Sequence, residues 1–266
     1  MDDHAGTRYR MRASAAAKQT ALHSCVDRIM PAASNISRCY GPSFIPYIRS
    51  VVSCTIIKET DEIFMTPLAE IPAPTVAMLK SEFVGFEKAA TGYEQPQRSA
   101  LLRYLLYSML LRSGRYEELF TDTAADLPEY VFYDSGRVIS GRTSLIDFHR
   151  AQADAGCALT LPGQRVAAAD WGFAAERVDQ VYLTPAAALA RGIKSEFGDT
   201  RPAERRKTAV VWRSDASGRM RSMHFYPAAG SETCHVPEDL VLQQRQIAEA
   251  LESLIVAVRQ RLQSSV

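Results

Sequence analysis

The chain has 266 residues, 47% of them apolar and 23% charged, with a formal net charge of +1. This is ordinary globular composition with enough apolar material to bury a core. A charge so near zero excludes a global pull toward nucleic acid or an anionic membrane, and no stretch approaches the roughly 20 consecutive apolar residues that span a bilayer.

Residues 4–26 carry Arg8, Arg10, Arg12 and Lys18 and no acid. Arg- and Ala-rich, acid-free segments resemble mitochondrial transit peptides, although the opening Met1-Asp2-Asp3 does not fit that pattern; a basic tail is the other reading. Cys25, Cys39, Cys54, Cys157 and Cys234 show no CxxC spacing, which argues against a disulfide framework and a zinc site. Free thiols imply an intracellular, reducing compartment, either cytoplasm or mitochondrial matrix.

Residues 1–96 read as an N-terminal extension of mixed helix and strand. Ala21 to Met30 predicts a short helix stopped by Pro31, and "YIRSVVSCTIIKET" predicts a strand able to pair with "EIFMT". After Pro67, Pro72 and Pro74 the segment "TVAMLKSEFVGFEKAA" has helical period. Pro96 then precedes "RSALLRYLLYSMLLRSG", a strongly apolar helix stopped at Gly114. "RYEELFTDTA" predicts a shorter helix, "EYVFYD" a strand, and "SLIDFHRAQADA" a third helix on which His149 is expected to be partly exposed.

Strand patterns follow in "ALTLPGQRVAAAD" and "GFAAERVDQVYLT". "PAAALARGIKSEFGDTRPAERR" reads as a polar insertion with a short helix. "KTAVVWRSD" and "RMRSMHFYPA" flank "ASG", a hairpin signal with Gly218 where φ > 0 is needed. From Pro237 a long amphipathic helix is expected, with Leu240, Ile247, Leu251, Leu254, Val258 and Leu262 on one stripe. It suits docking on its own sheet or pairing with a partner helix.

This order gives an α+β fold class, with domains at 1–96, 97–230 and 231–266. The middle segment resembles the nuclear-transport-factor-2-like superfamily, in its ketosteroid-isomerase and SnoaL-like branch. The resemblance rests on "LLRSGRYEELF", "YVFYD", "SGRTSLIDFHRA" and "VVWRSDASGRMRSMHFYP" over residues 97 to about 229. It implies a cone-shaped, curved antiparallel sheet wrapped around helices, with a pocket at the open end.

The resemblance also implies roles. Asp134 matches the general base and Tyr107 the phenol that donates to an oxyanion. Where the isomerases hold a protonated acid, Val210 stands here and cannot donate. His224 is the candidate assistant, and Phe132, Trp212 and Val210 are candidate pocket residues. Each has a plainer reading: Asp134 as a turn residue before Ser135-Gly136, Tyr107 and His224 as packed side chains. No paired metal-ligand spacing, GxGxxG, Walker loop or GxSxG element occurs, so no metal or cofactor is expected. The run Arg205-Arg206-Lys207 near Arg201 lacks interleaved aromatics, and nucleic acid is not an expected partner.

Two functions follow. The favoured one is a non-catalytic scaffold or binding subunit of a larger assembly or oligomer, docking other subunits or itself through its extensions and the 237–263 helix. The alternative is a small-molecule isomerase, dehydratase or cyclase acting on a small apolar carbonyl compound in the cone. Fold alone does not decide between them.

Overall fold

A computed structural model describes residues 53–55, 73–193, 198–228 and 230–264, with the side chains of 157–165 left out of account. The expected helix at 21–30, the strand "EIFMT" and the basic N-terminal segment lie outside the described residues. The chain divides into two compact units, 1–55 and 56–266. Of the first, strand β1 (Ser53–Thr55) is described, inside the stretch read as a strand. The boundary expected at residue 96 falls within the second unit.

Its helices are α1 (Val76–Ala90), α2 (Gln97–Arg112), α3 (Tyr116–Thr123), α4 (Arg142–Ala155), the short α5 (Pro185–Ala190) and α6 (Gln244–Gln263). The strands are β2 (Ala124–Phe132), β3 (Arg137–Ser140), β4 (Gly156–Ala169), β5 (Gly172–Leu183), β6 (Thr200–Ser214), β7 (Met220–Pro227) and β8 (Glu232–Pro237). The result is an α+β fold with a curved, unclosed sheet and a long C-terminal helix.

Two expectations are corrected. Residues 200–206 belong to β6 and are not part of a polar insertion, because they pair with β5 on one edge and β8 on the other. The C-terminal helix begins at Gln244 and not after Pro237: Pro237 closes β8, and a 3₁₀ turn, Glu238–Leu240, intervenes with Leu240 exposed. Gln243 and Gln246 cap the new start reciprocally, which fixes it there.

The strands run in the order β4-β5-β6-β7-β2-β3, with β8 on the edge of β6 beyond β7. All these pairs are antiparallel except β2 with β7. The sheet is therefore mixed: a same-direction pair requires a long crossover, and α4 is one element of the chain between them.

Pairing register fixes which side chains share a face. Phe173, Trp212, Met223 and Tyr130 stand side by side across four strands, and Ala175, Val210, Phe225 and Phe132 form the next rung but one. Since side chains alternate along each strand, these residues line one face. That face packs on α2, which is apolar nearly all round and buries eleven of its sixteen residues, as a helix enclosed on several sides must. Tyr104 of α2 meets the rings of Phe173, Trp212 and Phe86 at centroid distances of 4.7, 5.6 and 5.9 Å.

The buried stripe of α6 is Ile247, Leu251, Ile255, Val258 and Leu262, in the core shared with α1 and α2; Ile255 takes the central place expected for Leu254, which is only partly buried beside it. Of the two expectations, docking on its own sheet or pairing with a partner helix, neither describes this stripe: it is covered by α1 and α2 of the same chain. At the β6–β7 turn, Gly218 has φ +79°, and a Cβ there would stand 2.6 Å from the backbone nitrogen of Ala100. The hairpin tip is pressed against the start of α2 and only glycine fits.

Candidate active site

Tyr107 on α2 and Tyr130 on β2 approach within 2.5 Å, oxygen to oxygen, and the Tyr130 hydroxyl lies 2.9 Å from Nε2 of His149 on α4. All three residues are buried. Local sequence puts them there for separate reasons. Tyr107 follows Tyr104 by three residues on the sheet-facing side of α2. Tyr130 alternates with Phe132 on the inner face of β2. His149 follows Leu145 by one helical turn, and both are buried, so the expectation of a partly exposed His149 is overturned.

Close to this chain lies Arg177 of β5, paired with Asp179 at 3.0 Å and donating to the Tyr104 hydroxyl at 3.3 Å. Burial alone would lower the Arg177 pKa; Asp179, then Tyr104 and Tyr107, more than offset that and hold it above its ordinary value. Its charge reaches the whole chain. Burial raises the Tyr107 pKa, against the pull of the Tyr130 hydrogen bond and of Arg177. Burial, then Tyr107, raises that of Tyr130, again against Arg177. Burial first and Arg177 second depress His149 to about 3. Phenols and imidazole are therefore neutral across the physiological range, beside a fixed cation.

A neutral imidazole lets the chain run in either sense. With the proton on Nδ1, Nε2 accepts from Tyr130, which accepts from Tyr107. With the proton on Nε2, each donor reverses and the Tyr107 hydrogen is free for another oxygen. The indole of Trp212 stands edge-on to Tyr107 at 5.5 Å, and its buried Nε1–H has no acceptor among the described residues. A cavity of about 30 Å³ adjoins His149, lined also by Leu111, Arg112, Tyr116, Gln152 and Gln244. Polar walls and that volume suit a water molecule.

The structure separates the residues that the sequence grouped as catalytic. Tyr107 lies in the chain just described. Asp134 sits in the β2–β3 turn, its side chain 45% exposed, and meets Arg206 at 3.5 Å. His224 pairs in register with Val211 and Val131, on the sheet face opposite Trp212 and Tyr130. There it bonds Ser222 at 3.0 Å and Tyr133 at 3.3 Å. Asp134 and His224 are thus not assembled with Tyr107. Phe132, Val210 and Trp212 share the inner face, but Val210 and Trp212 are fully buried, Phe132 is stacked on Phe225 at 4.7 Å, and none of the three lines the cavity beside His149, so the pocket expected at these residues is filled by side chains.

Tyr130, His149 and Arg177 escaped the sequence reading, although each left a trace. Arg177 continues the buried alternation Phe173, Ala175, Arg177, where a charge is out of place on an apolar face. Arg201 and Arg206 of the basic run pair with Glu238 and Asp134, and Arg205 is buried against Gln180. Among the described residues no cluster of His, Cys, Asp or Glu suits a metal, and no helix is long and apolar enough to cross a membrane.

No protein-family model and no curated protein matches the chain. Solved structures do. A protein described as a polyketide cyclase from Xanthomonas campestris pv. campestris is 15% identical over 49% of this chain and 90% of its own, with a TM-score of 0.38. A protein described as a ketosteroid isomerase from Kribbella flavida is 16% identical over 55% and 90%, with a TM-score of 0.34. An NTF2-like protein from Burkholderia xenovorans is 8% identical over 51% and 93%, with a TM-score of 0.36.

Proposed function

We propose that the chain is a small-molecule enzyme of the isomerase, dehydratase or cyclase class, in which Tyr107 binds the oxygen of a carbonyl substrate as it becomes an enolate. The observation that carries this reading is the hydrogen-bonded chain Tyr107–Tyr130–His149 beside the cation of Arg177. A core needs none of these polar groups, and apolar residues of similar volume would bury at lower cost. Together they form a preorganised donor backed by positive charge in surroundings that exclude water, which is what a developing oxyanion requires. The unaccepted Nε1–H of Trp212 adds a second donor beside Tyr107.

In this reading the catalytic role moves from Asp134 and His224 to the buried chain, and Tyr107 keeps the part the resemblance gave it. Proton transfer at carbon is not assigned to a residue. The scaffold reading loses its docking helix, since the stripe of α6 is covered. What favours it still is exposed apolar surface at Leu127 and Val138, 80% and 55% exposed on β2 and β3.

The test is binding of phenols of graded acidity, whose phenolates mimic an enolate, followed by their ultraviolet shift. Binding that tightens with acidity and weakens at least tenfold in Tyr107→Phe, with Asp134→Asn unchanged, supports the enzyme. No phenol binding, together with a stoichiometric large complex in the native mass, returns the scaffold reading.

A further inference from the structure

Away from the buried tyrosine chain, the tip of the β6–β7 hairpin, the exposed side of α2 and the start of β2 line an open surface cavity of about 440 Å³. Its lining is Arg103, Ala125, Asp126, Asp215, Ser217 and Arg219. Two features separate this cavity from an ordinary solvated hollow.

The first is rigidity. Arg103 Nε donates to the Ser217 carbonyl at 3.0 Å and Nη1 to the Asp122 carbonyl at 2.7 Å, so one guanidinium ties the hairpin tip to the end of α3. Gly218 is pressed against Ser99 and Ala100 from the other side. The Asp215 carboxylate accepts from the Ser217 nitrogen and hydroxyl and from the Arg219 nitrogen, at 2.9, 2.7 and 3.0 Å. That carboxylate therefore shapes the turn.

The second is a pair of guanidinium groups with no carboxylate in direct ion-pair contact. Neither Arg103 nor Arg219 has a carboxylate within ion-pair distance among the described residues, and the Arg219 side chain makes no hydrogen bond. Burial first and Arg219 second lower the Arg103 pKa, against an upward pull from Asp215 and Asp122, so charges of both signs lie near it. Like charges held together on a fixed frame, with donors left over, are arranged as in oxyanion-recognising sites. Asp126, whose side chain is fully exposed and 3.8 Å from Arg142, is the one lining acid not engaged in the turn.

We propose that this cavity binds the oxyanion group of a small molecule, a phosphate or a carboxylate, between the free edge of Arg103 and the guanidinium of Arg219. The shared requirement is a compact anion with two or more acceptor oxygens, one for each guanidinium.

The experiment is calorimetric titration of the full chain at constant ionic strength, with inorganic phosphate and pyrophosphate in one arm and acetate and citrate in the other, against chloride. Saturable binding in either arm, at least tenfold weaker in Arg219→Gln and several-fold tighter in Asp126→Asn, is the expected result. The arm that binds identifies the ligand's anionic group. Heats no larger than those of chloride in both arms, or binding unchanged in Arg219→Gln, overturn the proposal. Arg219 supports no other side chain, so that variant reads binding and not folding.

Discussion

Tyr107, Tyr130 and His149 link two helices and a strand through hydrogen bonds sealed from water, whereas Arg115, Glu118, Asp122 and Arg259 link α3 to α6 through ion pairs at the surface. In the second network Arg115 meets Glu118 at 2.6 Å and Glu252 at 2.5 Å, and Arg259 meets Glu118 at 2.7 Å and Asp122 at 2.6 Å. Both networks cross between elements. They differ in what water can do when a partner is removed. At the surface, solvent and salt take over, and exposed pairs contribute about 0–1 kcal/mol. In the interior nothing replaces the lost partner, and each orphaned group costs about 1–3 kcal/mol.

Acid should break this symmetry first and most strongly. His149 is held at about 3 in the folded state, against an ordinary value near 6.5. Between those values the unfolded chain binds a proton that the folded one does not, so stability rises with pH there and falls on acidification. The slope approaches about 1.4 kcal/mol per pH unit where the two states differ by a full proton. Denaturant titrations from pH 7 to 4 should show that loss in the wild type, and His149→Gln should flatten it. An equally steep curve in His149→Gln would place the acid sensitivity elsewhere.

Next in size is the pair of phenols. Tyr107→Phe and Tyr130→Phe should each destabilise by about 1–3 kcal/mol, because each leaves a buried hydroxyl short of a partner. The double variant should cost clearly less than the sum, and a double-mutant cycle measures that coupling. Strict additivity would mean that the 2.5 Å contact contributes nothing.

The surface network should respond less. Arg259→Ala should cost at most about 1 kcal/mol, and the cost should shrink as salt is raised from 0.05 to 0.5 M, by the screening expected of exposed pairs. Glu118 is held down at about 2, first by the Arg115 hydrogen bonds, against some burial, and then by Arg259. A depressed carboxylate stabilises above its unfolded value and loses that stabilisation as pH falls through about 2. The Arg259 effect should therefore vanish in strong acid, where His149 has already titrated. The smallest effect belongs to Asp134→Asn, within about 0.5 kcal/mol by thermal melting, since Asp134 is exposed and its pair with Arg206 is long.

What was legible in the sequence follows the same division. Helices α1 to α4 and the β6–β7 hairpin declare themselves through local period and turn chemistry, because Leu101 to Leu110 or Gly218 carry their reasons beside them. The inner face was legible in part: Trp212, Val210 and Phe132 stand in short runs of β-branched and aromatic residues, which mark strands but do not alternate clearly enough to name a face. The polar chain was not, since Tyr107, Tyr130 and His149 come from three elements, and their meeting depends on strand order and register. His224 was misread for a related reason. Within "MHFYP" it looks as apolar in context as Phe225, and only the pairing with Val211 shows that it faces the other way. The C-terminal helix presented a clear stripe, but a stripe names no occupant, and the partner proved to be α2.

The parallel seam between β2 and β7 also sets a timetable. Tyr130 stands opposite Met223, so β2 must wait for some ninety residues to emerge from the ribosome before that edge is paired. Until then the hairpin with β3 covers only its other side, and an unpaired strand edge invites association with other chains. Closing so distant a pair also delays the folding transition, because the loop must be ordered before the contacts repay it. Nascent chains arrested before residue 220 should thus be the species that chaperones hold, and release of β7 the event that frees them.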